Sequence, residues 1–147
     1  MKESLMVIQV RFIFLVRKIR TLGIGITVAC IVIYFFGLLV AGSNYRVGFE
    51  AVNISSLILL IIAVPATLFL KKYLLKNVTL ENFQTKYFSA HIIPFMILDF
   101  FALFCLSTNL LVNGNVVYAT IAACVTLAGM IMLFPKEEDF ESMKQPG

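Results

Sequence analysis

The sequence predicts an all-α protein, built as a four-helix transmembrane bundle with both termini in the cytoplasm. Hydrophobic residues make up 61% of the 147 residues, charged residues make up only 14%, and the apolar residues gather into four long runs. A soluble domain is roughly 45–50% apolar and about 25% charged. The composition therefore argues against a soluble enzyme, a nucleic-acid-binding domain and a disordered chain.

The four apolar runs cover residues 19–40, 52–70, 92–112 and 116–134. Each is about 20 residues long, which is the length that a helix needs to cross a bilayer core of ~30 Å. Strands of a β-barrel would be shorter and would alternate between apolar and polar residues. We therefore expect one helix from each run and a transmembrane domain over residues 19–134.

The basic residues predict the orientation of this domain. Of the 12 Lys and Arg residues, only Arg46 lies between the first two runs, and none lies between the last two. The other eleven lie before or at the start of the first run, between the second and third runs, or after the fourth. Because basic residues concentrate in cytoplasmic segments, both termini and the middle loop are expected in the cytoplasm. This also explains the net charge of +4 without a nucleic-acid partner.

Residues 1–18 form a basic and apolar segment before the first run, and two arrangements suit it. It is either an interfacial helix on the cytoplasmic leaflet or an extension of the first transmembrane helix that packs on a partner. Candidates for lipid-facing or phosphate contacts here are Arg11, Arg17, Lys18 and Arg20. At the other end, residues 135–147 form an acidic cytoplasmic tail, which we expect to be mobile.

The connecting segments carry turn and capping residues. Asn53 and Ser56 are predicted to cap the second helix, and Thr79 a short amphipathic helix in the middle loop. Asn113–Asn115 has the Asn-Gly pair of a tight turn, so the last two helices should form an antiparallel hairpin.

Asp99 is the most informative single residue, because it lies three positions before the midpoint of the third run. A charged carboxylate near the bilayer centre costs roughly 2.5–3.5 kcal/mol on insertion scales. It is either a neutral or hydrogen-bonded packing residue, or a site for protons or cations. Together with His91, which directly precedes this run, and Asn109 within it, Asp99 is the candidate intramembrane polar site.

Small residues mark candidate faces for helix packing, since they let helix backbones approach closely. These candidates are Gly37 and Ala41 in the first run, and Ala119, Ala122, Ala123 and Thr126 in the fourth. They suit either an interface with a partner protein or packing within the bundle.

Motifs for catalysis, cofactors or metals are missing from the sequence. The chain has one His, and its three cysteines, Cys30, Cys105 and Cys124, form no CxxC pair. It has no Gly-rich phosphate loop, no Ser-His-Asp set and no HExxH motif. We therefore expect neither an enzyme nor a cofactor-binding protein.

The stretch HIIPFMILDFFALF, from His91 to Phe104, and the following NLLVNGN resemble a group of small four-helix membrane proteins found often in Bacteroidota. The third helix of that group has the pattern HIIR-A-L-EG-ALF and ends in LLTGN. Asp99 stands where the group often has Glu, whereas Pro94 replaces its Arg and Phe100 its Gly. The resemblance implies a bacterial inner membrane and an acidic residue in the third helix, and it implies no activity.

Two functions are compatible with these features of the sequence. The leading hypothesis is a non-catalytic integral membrane subunit or scaffold that packs against other membrane proteins or forms a homo-oligomer. The alternative is a small transporter or channel that uses Asp99 as its proton or cation site. In both cases the lipid bilayer is the surrounding partner.

Overall fold

The computed structural model describes residues 5–41, 48–137 and 139–144. Residues 1–4 of the predicted N-terminal segment, the loop 42–47, and residues 138 and 145–147 of the tail lie outside the described residues. The helices are α1 (Leu5–Ala41), α2 (Glu50–Leu75), α3 (Phe83–Ser107), α4 (Val116–Leu133) and the short α5 (Asp139–Lys144). A π-helical turn, Thr108–Val112, continues α3, and the described residues contain no strand.

The prediction of an all-α bundle with four membrane-spanning helices is confirmed. Four helices among the described residues are long and apolar enough to cross a membrane: α1, α2, α3 together with its π-helical turn, and α4. At one end of the bundle, Arg20 near the middle of α1 and Lys71 near the end of α2 both contact the end of α4. We call this end, with residues 5–18, 76–82 and 134–144, the basic end, and the end with residues 48–49 and 113–115 the opposite end.

α3 is the central helix, since its contacts with α1, α2 and α4 are the most extensive between helices. α4 also contacts α1 and α2. The main core lies between these four helices and contains large buried side chains from three of them, among them Leu60, Phe95, Leu98, Leu106, Met130 and Leu133.

α1 continues without a break from Leu5 to Ala41. At ~1.5 Å per residue its 37 residues span about 55 Å, which exceeds the ~30 Å of a bilayer core. Its first part therefore projects from the basic end, and Phe12 and Val16 are buried there against other helices. Residues 5–18 therefore continue the first helix, as in one of the two predicted arrangements, but they pack against other segments of this chain instead of a partner; the described residues contain no separate interfacial helix.

α3 also begins earlier than its apolar run predicts. The structure has one helix from Phe83, with Asn82 as its N-cap residue, where the sequence suggested a short separate helix capped by Thr79. The Oδ1 atom of Asn82 accepts a hydrogen bond from the backbone N–H of Thr79 at 2.9 Å. The side chain of Asn82 thus closes the turn that precedes α3.

The described part of the tail packs against this projecting part, contrary to the expectation of mobility. Phe140 in α5 is buried, and its ring centroid lies 5.2 Å from that of Phe12. Phe12, Val16, Ile19, Val78, Phe83, Tyr87 and Phe140 form a second apolar core, which we call the basic-end core. It joins α1, the middle loop, α3 and the tail.

Candidate functional site

Asp99 is half-buried and contacts α1. Its Oδ1 atom accepts a hydrogen bond from the thiol of Cys30 at 3.0 Å. Among the described residues, this thiol is the only hydrogen-bond partner of Asp99. A thiol is a weak donor. The carboxyl group near the bilayer centre therefore receives only one weak hydrogen bond from the described part of the protein.

His91 lies at the basic end of α3 and is fully buried. Its Nδ1 atom is 3.0 Å from the carbonyl oxygen of Tyr87, one turn earlier, and its ring centroid lies 4.4 Å from that of Tyr87, with the two rings tilted by 47°. The Nε2 atom is buried without a hydrogen-bond partner among the described residues. The contacts of His91 are thus those of a residue in the basic-end core.

Asn109 lies in the π-helical turn near the opposite end of the bundle. Its Nδ2 atom donates to the hydroxyl of Ser56 on α2 at 3.1 Å and to the carbonyl of Cys105 at 2.8 Å. Asn109 follows His91 by 18 residues, which is about 27 Å along a helix. His91, Asp99 and Asn109 therefore occupy three separate environments along α3 and its π-helical turn and do not form one site.

A polar cluster surrounds Ser56 where α2 meets the π-helical turn. Ser56 accepts hydrogen bonds from Thr108 and Asn109 and donates to the carbonyl of Asn53 at 2.8 Å. Because the π-helical turn adds a residue to the helical repeat, it changes which side chains face α2. No pattern in the sequence marked this turn, so the meeting of Ser56 with Asn109 was not predicted.

Asn53 and Ser56 do not cap α2, contrary to the sequence interpretation. The helix begins at Glu50 after the N-cap residue Phe49, so both side chains lie inside it and are buried. Both polar side-chain atoms of Asn53, and both of Asn113, are buried without a hydrogen-bond partner in the described part of the chain. Asn115 acts as a cap for α4, since its Oδ1 accepts from the N–H of Tyr118 at 3.1 Å.

The small residues lie mostly at helix contacts. Gly37 faces Leu110, because a Cβ atom built on Gly37 would lie 2.6 Å from a methyl carbon of that side chain. The others that are buried are Ala41, Ala119, Ala122 and Thr126, whereas Ala123 is half-buried. Two further close contacts were not singled out from the sequence: Gly23 against Phe95 and Phe134, and Gly129 against Leu98 and Val64.

Arg20 binds protein atoms at the end of α4. Its guanidinium donates to the carbonyl oxygen of Pro135 at 3.2 and 3.3 Å and pairs with Glu137 at 3.2 Å. Lys71 donates to the carbonyl oxygens of Leu133 and Phe134 at 3.0 and 3.1 Å. Two cations thus satisfy three consecutive carbonyls where α4 ends, which also suits the negative end of its helix dipole.

The other three basic candidates, Arg11, Arg17 and Lys18, are exposed on α1. The ammonium group of Lys18 lies 5.6 Å from the centre of the Phe88 ring. Arg11 and Lys18 line the same surface groove between α1 and α3.

Tyr87 attaches the tail to α3 and was not among the predicted site residues. Its hydroxyl donates to a carboxylate oxygen of Asp139 at 2.7 Å, and it is fully buried against Phe12. The amphipathic spacing of the middle loop indicated an apolar face for Tyr87, but its partners come from distant parts of the chain.

Groups of three or more His, Cys, Asp or Glu residues that could hold a metal ion do not occur in the described part of the chain. Comparison of the whole chain with models of protein families, with curated proteins and with solved structures found no match.

Proposed function

We propose that this protein is a non-catalytic integral membrane subunit or scaffold, which acts by packing against other membrane proteins or against a second copy of itself. The observation that carries the proposal is the half-buried carboxyl group of Asp99, whose hydrogen-bond partner among the described residues is the thiol of Cys30. In hydrocarbon, a partly exposed carboxyl group gains stability when a neighbouring helix supplies a stronger donor.

The surface beside Asp99 suits such a neighbouring helix. At 100° per residue, four exposed apolar side chains of α3 fall on one stripe next to Asp99. This stripe consists of Ile93, Met96, Phe100 and Phe104, and we call it the Phe100 stripe. A partner helix on the stripe would cover apolar surface and bring its own polar groups within reach of Asp99.

We also propose that the basic end faces the cytoplasm of a bacterial cell and that the bundle lies in the inner membrane. The distribution of basic residues supports the orientation. The resemblance of residues 91–104 to the Bacteroidota group supports the membrane.

The position of the interface can be tested by photocrosslinking. A photoreactive phenylalanine analogue at Phe100, which is 67% exposed, is expected to give a discrete adduct with a partner protein or a second copy. The matched control is the same analogue at Phe69 on α2, which is 73% exposed and lies outside the stripe. Equal adducts at both positions, or protein adducts at neither, would contradict the proposed interface.

Substitutions of Asp99 separate the scaffold from the competing transporter. If Asp99 is a hydrogen-bonding residue at an interface, Asp99→Asn should assemble almost normally, and Asp99→Leu should weaken the complex by about 1–2 kcal/mol, the scale of an intramembrane hydrogen bond. If Asp99 carries protons or cations, Asp99→Asn should remain assembled but lose transport, because an amide does not titrate.

The deciding measurement is flux driven by a pH or ion gradient in proteoliposomes, with assembly followed in parallel by size and crosslinking. Absence of flux in the wild type and in both variants, with assembly reduced only in Asp99→Leu, would support the scaffold. If the wild type shows flux and a well-assembled Asp99→Asn variant does not, the scaffold proposal is wrong and the protein is a transporter.

A further inference from the structure

A surface groove of about 590 Å³ opens at the basic end between α1 and the first turns of α3. On α1 it is lined by Arg11, Phe14, Leu15 and Lys18, whose spacing places them on one face of the helix. The side chains of Phe14 and Leu15 thus form an apolar strip between two basic residues. The groove shares no residue with the Phe100 stripe, which begins one helical turn later on the same face of α3. Lipid binding in the groove and assembly at the stripe are measured separately.

The α3 side of the groove supplies neutral hydrogen-bonding groups. Gln84, Thr85 and Ser89 line it, together with the ring of Phe88. Among the described residues that line the groove, none is acidic. Its electrostatic character is therefore positive, with hydroxyl and amide groups that donate hydrogen bonds to an anion.

The N-terminus of α3 makes the groove more positive. The N-cap residue Asn82 makes no side-chain hydrogen bond to the first turn, so N–H groups of that turn remain free of a side-chain cap. The N-terminus of a helix carries a partial positive charge and attracts anions. Gln84 and Thr85 belong to this turn and also line the groove.

The groove lies at the depth where lipid phosphates are expected. Lys18 directly precedes the apolar run 19–40, and Ser89 lies three residues before the run 92–112. Both residues therefore mark the boundary of the hydrocarbon, while Phe14, Leu15 and Phe88 present apolar surface beside it. Basic pockets between transmembrane helices on the cytoplasmic side are typical places for anionic headgroups.

We propose that this groove binds the headgroup of one anionic phospholipid. Lys18 pairs with the phosphate, Thr85 and Ser89 donate hydrogen bonds to its oxygens, and an acyl chain begins along Leu15 and Phe88. Arg11 already takes part in another interaction, so Lys18 is the cation on which the site depends. The apolar side chains favour a lipid over free inorganic phosphate, which has no apolar part to bury.

The test uses the full chain, stripped of lipid in detergent, and native mass spectrometry with phosphatidylglycerol and phosphatidylcholine as probes. We expect the wild type to bind phosphatidylglycerol in preference to phosphatidylcholine. Lys18→Gln should reduce this preference about fivefold, the usual effect of one basic residue near a membrane surface. Arg17→Gln is the matched control, because Arg17 is exposed on the same helix but does not line the groove. Lys18→Arg should retain the preference.

A second variant, Thr85→Val combined with Ser89→Ala, keeps every charge and should also reduce the preference if the hydroxyls bind the phosphate. Three outcomes would overturn the proposal: no preference in the wild type, equal losses in Lys18→Gln and Arg17→Gln, or displacement of the lipid by millimolar inorganic phosphate at constant ionic strength. The second would indicate diffuse electrostatic attraction, and the third a site for free anions.

Discussion

Gly37 illustrates how one residue fixes the contact between two helices in this bundle. A Cβ atom built there would lie 2.6 and 3.2 Å from the Cδ1 and Cβ atoms of Leu110, closer than real Cβ atoms normally approach. Gly25, on the same helix, has no atom within 4 Å of the corresponding position. The two glycines therefore offer a direct comparison between a glycine required by packing and one that is not.

We expect Gly37→Ala to lower the stability of the bundle by about 1–3 kcal/mol, the usual cost of overpacking. Gly25→Ala should be neutral or stabilising, because alanine favours helix formation by up to about 1 kcal/mol over glycine. Unfolding in mixed micelles, followed by circular dichroism, measures both. Equal stabilities of the two variants would show that Leu110 moves aside without cost.

The projecting part of α1 is the element whose role the structure changes most. It connects the transmembrane bundle to the middle loop and the tail through the basic-end core, in which Phe12 touches Phe83, Tyr87 and Phe140. Phe12 is 1% exposed, whereas Phe14, two residues later, is 65% exposed. The two phenylalanines of this segment therefore have opposite environments.

Because of this difference, we expect the protein to respond differently when the Phe12 or the Phe14 side chain is shortened to Ala. Phe12→Ala should destabilise the basic end by about 3 kcal/mol, at the lower end of the range for a buried Phe, because it removes a ring from a closed core. Phe14→Ala should leave folding unchanged. Limited proteolysis of the middle loop and tail, with insertion of α1 checked by extraction, compares the variants. Faster cleavage in Phe14→Ala than in Phe12→Ala would contradict the packed extension.

At the scale of the whole molecule, the four helices alternate in direction around α3, and the basic end is closed by contacts between distant segments. Arg20 and Lys71 bring α1 and α2 to the end of α4, and Tyr87 brings α3 to the tail. Each of these contacts joins residues that the positive-inside rule assigns to the same side of the membrane.

Labelling of single cysteines tests this orientation. In a chain whose native cysteines are replaced by Ala, Asn44→Cys in the loop 42–47 should react with a membrane-impermeant maleimide from outside intact cells. Asn77→Cys, in the exposed middle loop, should react only after permeabilisation. Labelling in the reverse pattern would show that the bundle has the opposite orientation, and it would place the groove between α1 and α3 in the outer leaflet.

The sequence alone determined the number of membrane helices, because the free energy of inserting a helix depends mainly on the composition of its own segment. It also located Asp99 near the middle of a span, where the structure has a half-buried carboxyl group in contact with Cys30. The sequence left open whether the residues before the first run extend α1, and it missed the start of α3 at Phe83, because contacts with distant segments support both of these parts.

The tertiary structure alone decided which side of each helix packs and which basic residues remain exposed. A transmembrane helix is apolar on every side, so the period of its hydrophobic residues does not distinguish a packed face from a lipid-facing one. Close packing depends on the fit between particular side chains, such as Gly37 against Leu110. In the same way, Arg20 is half-buried whereas Lys18 is exposed, because Arg20 lies beside the carbonyl of Pro135, 115 residues away in the chain.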